Sequence, residues 1–78
     1  GKDGLDLTRR LLAQAANHLN EDGVLIVEVG VSQFYLQQAY PELPFFWFEF
    51  ENGGEGVFAI LKSELELFQD VLNDRAVL

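Results

Sequence analysis

No stretch constrains this chain more than Val24-Leu25-Ile26-Val27-Glu28-Val29-Gly30. The run is rich in β-branched residues and apolar throughout except at Glu28. A strand with one wet face alternates apolar and polar side chains. A run without alternation reads as a strand buried on both faces, as in the middle of a parallel α/β sheet. Such a strand needs a hydrogen-bonding neighbour on each edge and helices over each face. The chain has 78 residues and few other strand candidates. The expectation is the tail of a larger α/β domain, carrying a central strand without all of its partners.

The flanking patterns supply the other elements. Asp3 is placed to cap a helix from Leu5 to about Leu19. Leu5, Thr8, Leu12, Ala15, Ala16 and Leu19 recur at helical spacing, joined by Leu7 and Leu11. Asn20-Glu21-Asp22-Gly23 reads as a turn into the strand. Ser32 is positioned to cap a short helix through Ala39, which Pro41 and Pro44 stop. From Phe45 to Glu51, Phe46, Phe48 and Phe50 point one way and Phe45, Trp47, Glu49 and Glu51 the other. Asn52-Gly53-Gly54-Glu55-Gly56 is a hairpin signal, and Val57 to Leu61 is the returning strand. Ser63-Glu64-Leu65-Glu66 has the form of a capping box opening a last helix to about Leu72. The fold class is α/β: a three-stranded mixed sheet with about three helices. The first two strands run parallel through a right-handed crossover, and the third slots antiparallel between them, in the order first, third, second. Leu25 and Phe48 are expected in the core.

Composition excludes several functions. The formal net charge is −8, with 5 Lys and Arg against 13 Asp and Glu, too few cations for direct nucleic-acid binding by this chain alone. There is no Cys, which removes disulfides and thiolate chemistry and suits a cytoplasmic protein. The apolar runs fall far short of the ~20 residues that span a bilayer, and no signal peptide precedes them. The absence of Met suits an excised piece better than a complete gene product.

Taken in order, Gly1-Lys2-Asp3-Gly4-Leu5, Arg9-Arg10-Leu11-Leu12, Asp22 to Gly30, Tyr40-Pro41-Glu42-Leu43-Pro44-Phe45, and Glu49 to Phe58 carry a resemblance. Their order and spacing closely resemble the C-terminal part of the bacterial protein-(glutamine-N5) methyltransferases that modify a large-subunit ribosomal protein. The resemblance covers nearly the whole chain and weakens after about Lys62. It implies that residues 1–78 are the C-terminal portion of a Rossmann-like class I methyltransferase domain, whose final strand inserts antiparallel beside the fifth. It also implies S-adenosylmethionine as the parent's cofactor and a ribosomal protein as its substrate. The family's Gly-rich cofactor loop and its Asn-Pro-Pro-Tyr motif are not in this sequence, so the chain alone is expected to bind no cofactor and to be inactive. Where the family commonly has Asn after Glu-Val-Gly, this chain has Val31.

Four residues are candidates for the substrate side. Glu28 lies near the carboxyl end of its strand, the end that faces the ligand crevice in open α/β sheets. The plain alternative is a solvated or hydrogen-bonded carboxylate at a strand end. Asn52, Gly53 and Gly54 leave the second parallel strand on the same side, though a tight hairpin alone is the simpler account, since glycine needs no ligand to explain it. No catalytic, cofactor-binding or metal-ligating residue is assigned. His18 has no second His or Cys nearby and reads as a surface residue near a helix C-terminus. The aromatic cluster Phe45, Phe46, Trp47, Phe48 and Phe50 reads as core rather than as a base-stacking platform. Ser32 and Ser63 lack a partner base and read as caps. The competing reading is an autonomous module that forms a homodimer through its open strand edge.

Overall fold

The computed structural model describes residues 5–51 and 56–76. It forms helix α1 (Asp6–Ala15) with a 3₁₀ turn (Ala16–His18), strand β1 (Val24–Glu28), and a second 3₁₀ turn (Gly30–Ser32) leading into α2 (Gln33–Ala39). Strands β2 (Phe46–Trp47) and β3 (Val57–Leu61) and helices α3 (Lys62–Leu67) and α4 (Gln69–Ala76) complete it. The sheet order is β1-β3-β2, as the sequence implies. Both hydrogen-bonded pairs are antiparallel, so β1 and β2 point the same way with β3 between them.

Register decides which side chains are buried. Val24 pairs with Leu61, Ile26 with Ala59 and Glu28 with Val57, while Leu25 pairs with Ile60 and Val27 with Phe58. Partners opposite one another share a face. On the second face Phe58 and Ile60 are buried, and Leu25, Val27, Phe45 and Trp47 pack around them. Leu12 and Ala15 of α1, Leu36 of α2, Leu65 of α3 and Leu72 of α4 join the same cluster. All four helices therefore lie over one face of the sheet. Phe58 is its aromatic centre, with ring centroids 4.7 Å from Phe45 and 5.4 Å from Trp47.

The other face overturns the expectation of a strand buried on both sides. Val24, Ile26 and Glu28 are exposed, with Ile26 at 60%. No described helix packs there, so β1 alternates although its sequence does not. Phe46 and Leu61 share this bare face.

Several local expectations also shift. The strand expected over residues 45–51 is confined to Phe46–Trp47, with one further bond from the Phe48 N–H to the Val57 carbonyl at 2.9 Å. Phe48 is half-buried outside the core, in an edge-on row with Phe46 and Phe50, so the aromatic cluster is only partly core. Leu7 and Leu11 are exposed rather than part of the α1 stripe. The last helix is two helices, broken at Phe68, giving four helices where about three were expected. Beyond the break, the Gln69 amide donates to the Ala13 carbonyl of α1 at 2.7 Å, which holds the start of α4 against α1. The capping residue is not Ser63. Leu61 is still extended, and the Glu64 carboxylate accepts its N–H at 2.9 Å, so the helix opens at Lys62. Ser32 stands at the start of α2 without a side-chain capping bond. The turn at residues 20–23 forms as read, with the Gly23 N–H bonded to the Asn20 carbonyl at 2.8 Å. Asp3 and the hairpin residues Asn52 to Glu55 lie outside the described residues.

Replacing Phe58 with Ala is expected to cost about 3–5 kcal/mol, because the cavity opens at the centre of the contact between helices and sheet. Phe48→Asp is expected to leave a cooperative thermal transition, since its ring lies outside the core. Thermal denaturation followed by near-ultraviolet circular dichroism separates the two outcomes.

Candidate functional site

The carboxyl end of β1 is the candidate site, and two glycines build it. Gly30 has φ +56° and Gly56 has φ +79°, both in the left-handed region. The Gly56 carbonyl accepts the Val29 N–H at 2.6 Å and the Gly30 N–H at 3.2 Å. A Cβ on Gly56 would fall into the backbone of Gly30, whereas one on Gly30 would meet open space. Glycine at position 56 is thus required twice, by conformation and by approach. The tie closes the end of β1 onto the start of β3.

This closure places Glu28. It is the last residue of β1, exposed, and opposite Val57, the first residue of β3. The segment Asn52-Gly53-Gly54 lies outside the described residues, but its return point at Gly56 sits directly beside Glu28's end of the strand. Val31, one residue beyond Gly30, is exposed. Among the described residues no three His, Cys, Asp or Glu gather as metal ligands, and His18 ends the first 3₁₀ turn at the surface. No helix among them is long and apolar enough to cross a membrane.

A second polar cluster, unread in the sequence, lies at the opposite end of α2. The Arg75 guanidinium donates to both Glu42 carboxylate oxygens, at 2.6 and 2.8 Å, and to the Ala39 carbonyl at 2.6 Å. Its carbon sits 5.3 Å from the centroid of the Tyr40 ring. One side chain of α4 thereby closes the C-terminus of α2, where a cation is favoured by the helix dipole, and fastens the loop after it. The hydrogen bond from Arg75 holds the Glu42 carboxyl below its ordinary value, and the same bond raises Arg75. This is a brace; it holds no reactive group. Glu42 and Arg75 stand 33 positions apart, a separation that carries no local signature.

Gly56→Ala is expected to destabilise the chain clearly more than Gly30→Ala, whose cost should be only the ~1 kcal/mol of a left-handed alanine. Chemical denaturation of both variants measures the difference. Because Glu42 titrates lower when folded, its contribution is present above the ordinary carboxylate value and is lost as pH falls through the folded one. The melting temperature of Glu42→Gln should therefore lie below that of the parent at neutral pH, and the gap should close in acid. A pH series of thermal melts reads this directly.

Comparison with known proteins points the same way as the motif order. The chain is 46% identical over 70 residues to a ribosomal protein uL3 glutamine methyltransferase of Francisella tularensis, covering 90% of this chain and 22% of the relative. It is 49% identical over 65 residues to one of Neisseria gonorrhoeae, covering 83% of this chain and 22% of the relative. No family model and no solved structure matches. The chain spans about a fifth of the length of these relatives. Over most of its length it is similar to a C-terminal segment of ribosomal protein uL3 glutamine methyltransferases.

Proposed function

We propose that this chain is the C-terminal piece of an S-adenosylmethionine-dependent methyltransferase that methylates the side-chain nitrogen of a glutamine in a ribosomal protein. The observation that carries the reading is the identity of 46% and 49% to uL3 glutamine methyltransferases over 70 and 65 residues. Identity that high over nine-tenths of the chain implies the same fold and the same place in it. In this reading the chain supplies a wall of the enzyme and no reacting group. The cofactor is held by the rest of the protein. A ribosomal protein substrate suits an enzyme of the cytoplasm.

Within that wall Glu28, Asn52, Gly53 and Gly54 border the ribosomal protein substrate. Glu28 is the one among them whose position is described, at the strand end and open to solvent. An exposed carboxylate there can accept hydrogen bonds from a peptide or pair with its cations, which holds substrate without touching the transferred methyl group.

Two measurements test the reading. The 78-residue chain is expected to show no saturable S-adenosylmethionine binding by titration calorimetry, and micromolar binding with a defined stoichiometry would refute it. In the longer enzyme Glu28→Gln should raise KM for uL3 by about tenfold, ~1.4 kcal/mol of binding, with cofactor affinity unchanged. Equal losses for both substrates would instead mean that Glu28 acts through the fold.

A further inference from the structure

We infer that Arg75 is a positioning residue for the rim: by bracing the end of α2 it holds the segment from Gly30 to Tyr40 in place, and with it a wall beside the carboxyl end of β1. The inference deepens the methyltransferase reading and rests on it for the identity of the substrate. The segment joins the two polar clusters. At its start the Gly30 N–H bonds to the Gly56 carbonyl at 3.2 Å and the Ser32 N–H to the Val29 carbonyl at 3.1 Å. At its end the Tyr40 N–H closes on the Leu36 carbonyl at 3.0 Å. Between these ends little is buried. The 3₁₀ turn buries no residue, and α2 fully buries Leu36 alone. Val31, Phe34 and Tyr35 are exposed, the two rings packing edge-on at 5.5 Å. A helix of seven residues is too short to hold its form unaided, so its order comes from its anchors. The entry at Gly30 is permissive, since its left-handed backbone is fixed by no side chain. The exit carries the restraint, with Tyr40 buried and Arg75 upon it.

Each contact of Arg75 restrains a different part of that exit. The bond to the Ala39 carbonyl takes up an acceptor that the last turn of a helix leaves open. The paired bonds to Glu42 fix the loop that follows, and the guanidinium over the Tyr40 ring fixes the residue between them. A lone ion pair at a surface contributes little, but a two-pronged guanidinium–carboxylate pair with a further charge-assisted bond to backbone is the geometry that does contribute. What the segment carries lies at its other end. A cavity of about 260 Å³ is lined by Gly30, Val31, Gln33, Phe34 and Gln37, every one of them on the segment that Arg75 fastens. Glu28 stands just before it in the chain. The side-chain amides of Gln33 and Gln37 suit the donors and acceptors of an extended peptide. A wall already ordered costs a peptide less to bind than one that must be ordered on contact. Arg75 touches no substrate in this account and acts through α2.

The test is amide exchange in the 78-residue chain, comparing the last turn of α2 and Tyr40 with the amides of β3. Arg75→Met keeps the aliphatic stem and removes the donors, and Arg75→Lys keeps the charge without the fork. Both are good helix formers, so α4 itself is little disturbed. Met is expected to speed exchange in α2 about tenfold or more while β3 is unchanged, with Lys in between, because the release is local. Glu42→Gln alone should have a smaller effect, and none once Arg75 is Met. Equal acceleration in α2 and β3 would show that Arg75 supports the fold at large, and unchanged exchange in α2 would show the brace to be idle; either overturns the inference. In the longer enzyme Arg75→Met should raise KM for uL3 about fivefold, with Lys restoring part of it and with kcat and cofactor affinity as in the parent. An unchanged KM beside a loosened α2 would overturn the link to substrate. A parent enzyme that does not methylate uL3 would instead sink the methyltransferase reading, while the exchange result still decides whether Arg75 holds α2.

Discussion

The structure depends on β3. It is the strand hydrogen-bonded on both sides, and it presents Phe58 and Ile60 to the helices. Every helix contributes a buried leucine or alanine to the cluster around these two side chains. Remove the strand and β1 and β2 lose their common neighbour at once, while the helices lose the surface they share. β1 and β2 do not pair with each other, so their parallel alignment follows from each being antiparallel to β3. β3 is paired along its whole length with β1 and over its first residues with β2, and the face carrying Phe58 and Ile60 is covered by the helices.

The elements nearest β3 were the most legible. The β-branched run, the turn ending at Gly23 and the glycine-rich return before Val57 are local signals, and they sufficed for the sheet order. The misread features are those set by distance along the chain. Nothing near Phe68 breaks a helix: there is no Gly or Pro after Gly56. The break accompanies a bond from Gln69 to Ala13, 56 positions away. The choice between Ser63 and Glu64 as the capping group turned on where the strand ends. β3 passes into α3 with no loop, so the last strand residue is also the residue before the helix, and only Glu64 stands three positions beyond it. Phe48 looked like core because its neighbours are aromatic. Register with β3 turned Phe45 and Trp47 inward instead.

The candidate site was legible in part. The sequence placed Glu28 at a strand end, and the register sets it opposite Val57, the first residue of β3, while Asn52 to Gly54 lie outside the described residues. It did not reveal the Gly30–Gly56 tie, because a close backbone approach between two glycines leaves no pattern beyond the glycines themselves. That tie closes the end of the β1–β3 ladder through backbone hydrogen bonds to the Gly56 carbonyl.

One tension remains between the apolar run and the exposed strand, and Glu28 resolves it. Apolar side chains at Val24 and Ile26 have no reason to face water, and they favour a cover over the bare face. Glu28 shares that face and is the one charge in the run. A cover extending over the whole strand would bury its carboxylate at a cost of several kcal/mol unless it met a partner there. At the last position of the strand the carboxylate can stay at the margin of any cover, wet on one side, while the two aliphatic residues are enclosed. The interruption therefore falls where a charge is compatible with a covered strand, and it marks the limit beyond which the bare face is built to meet solvent or a polar partner.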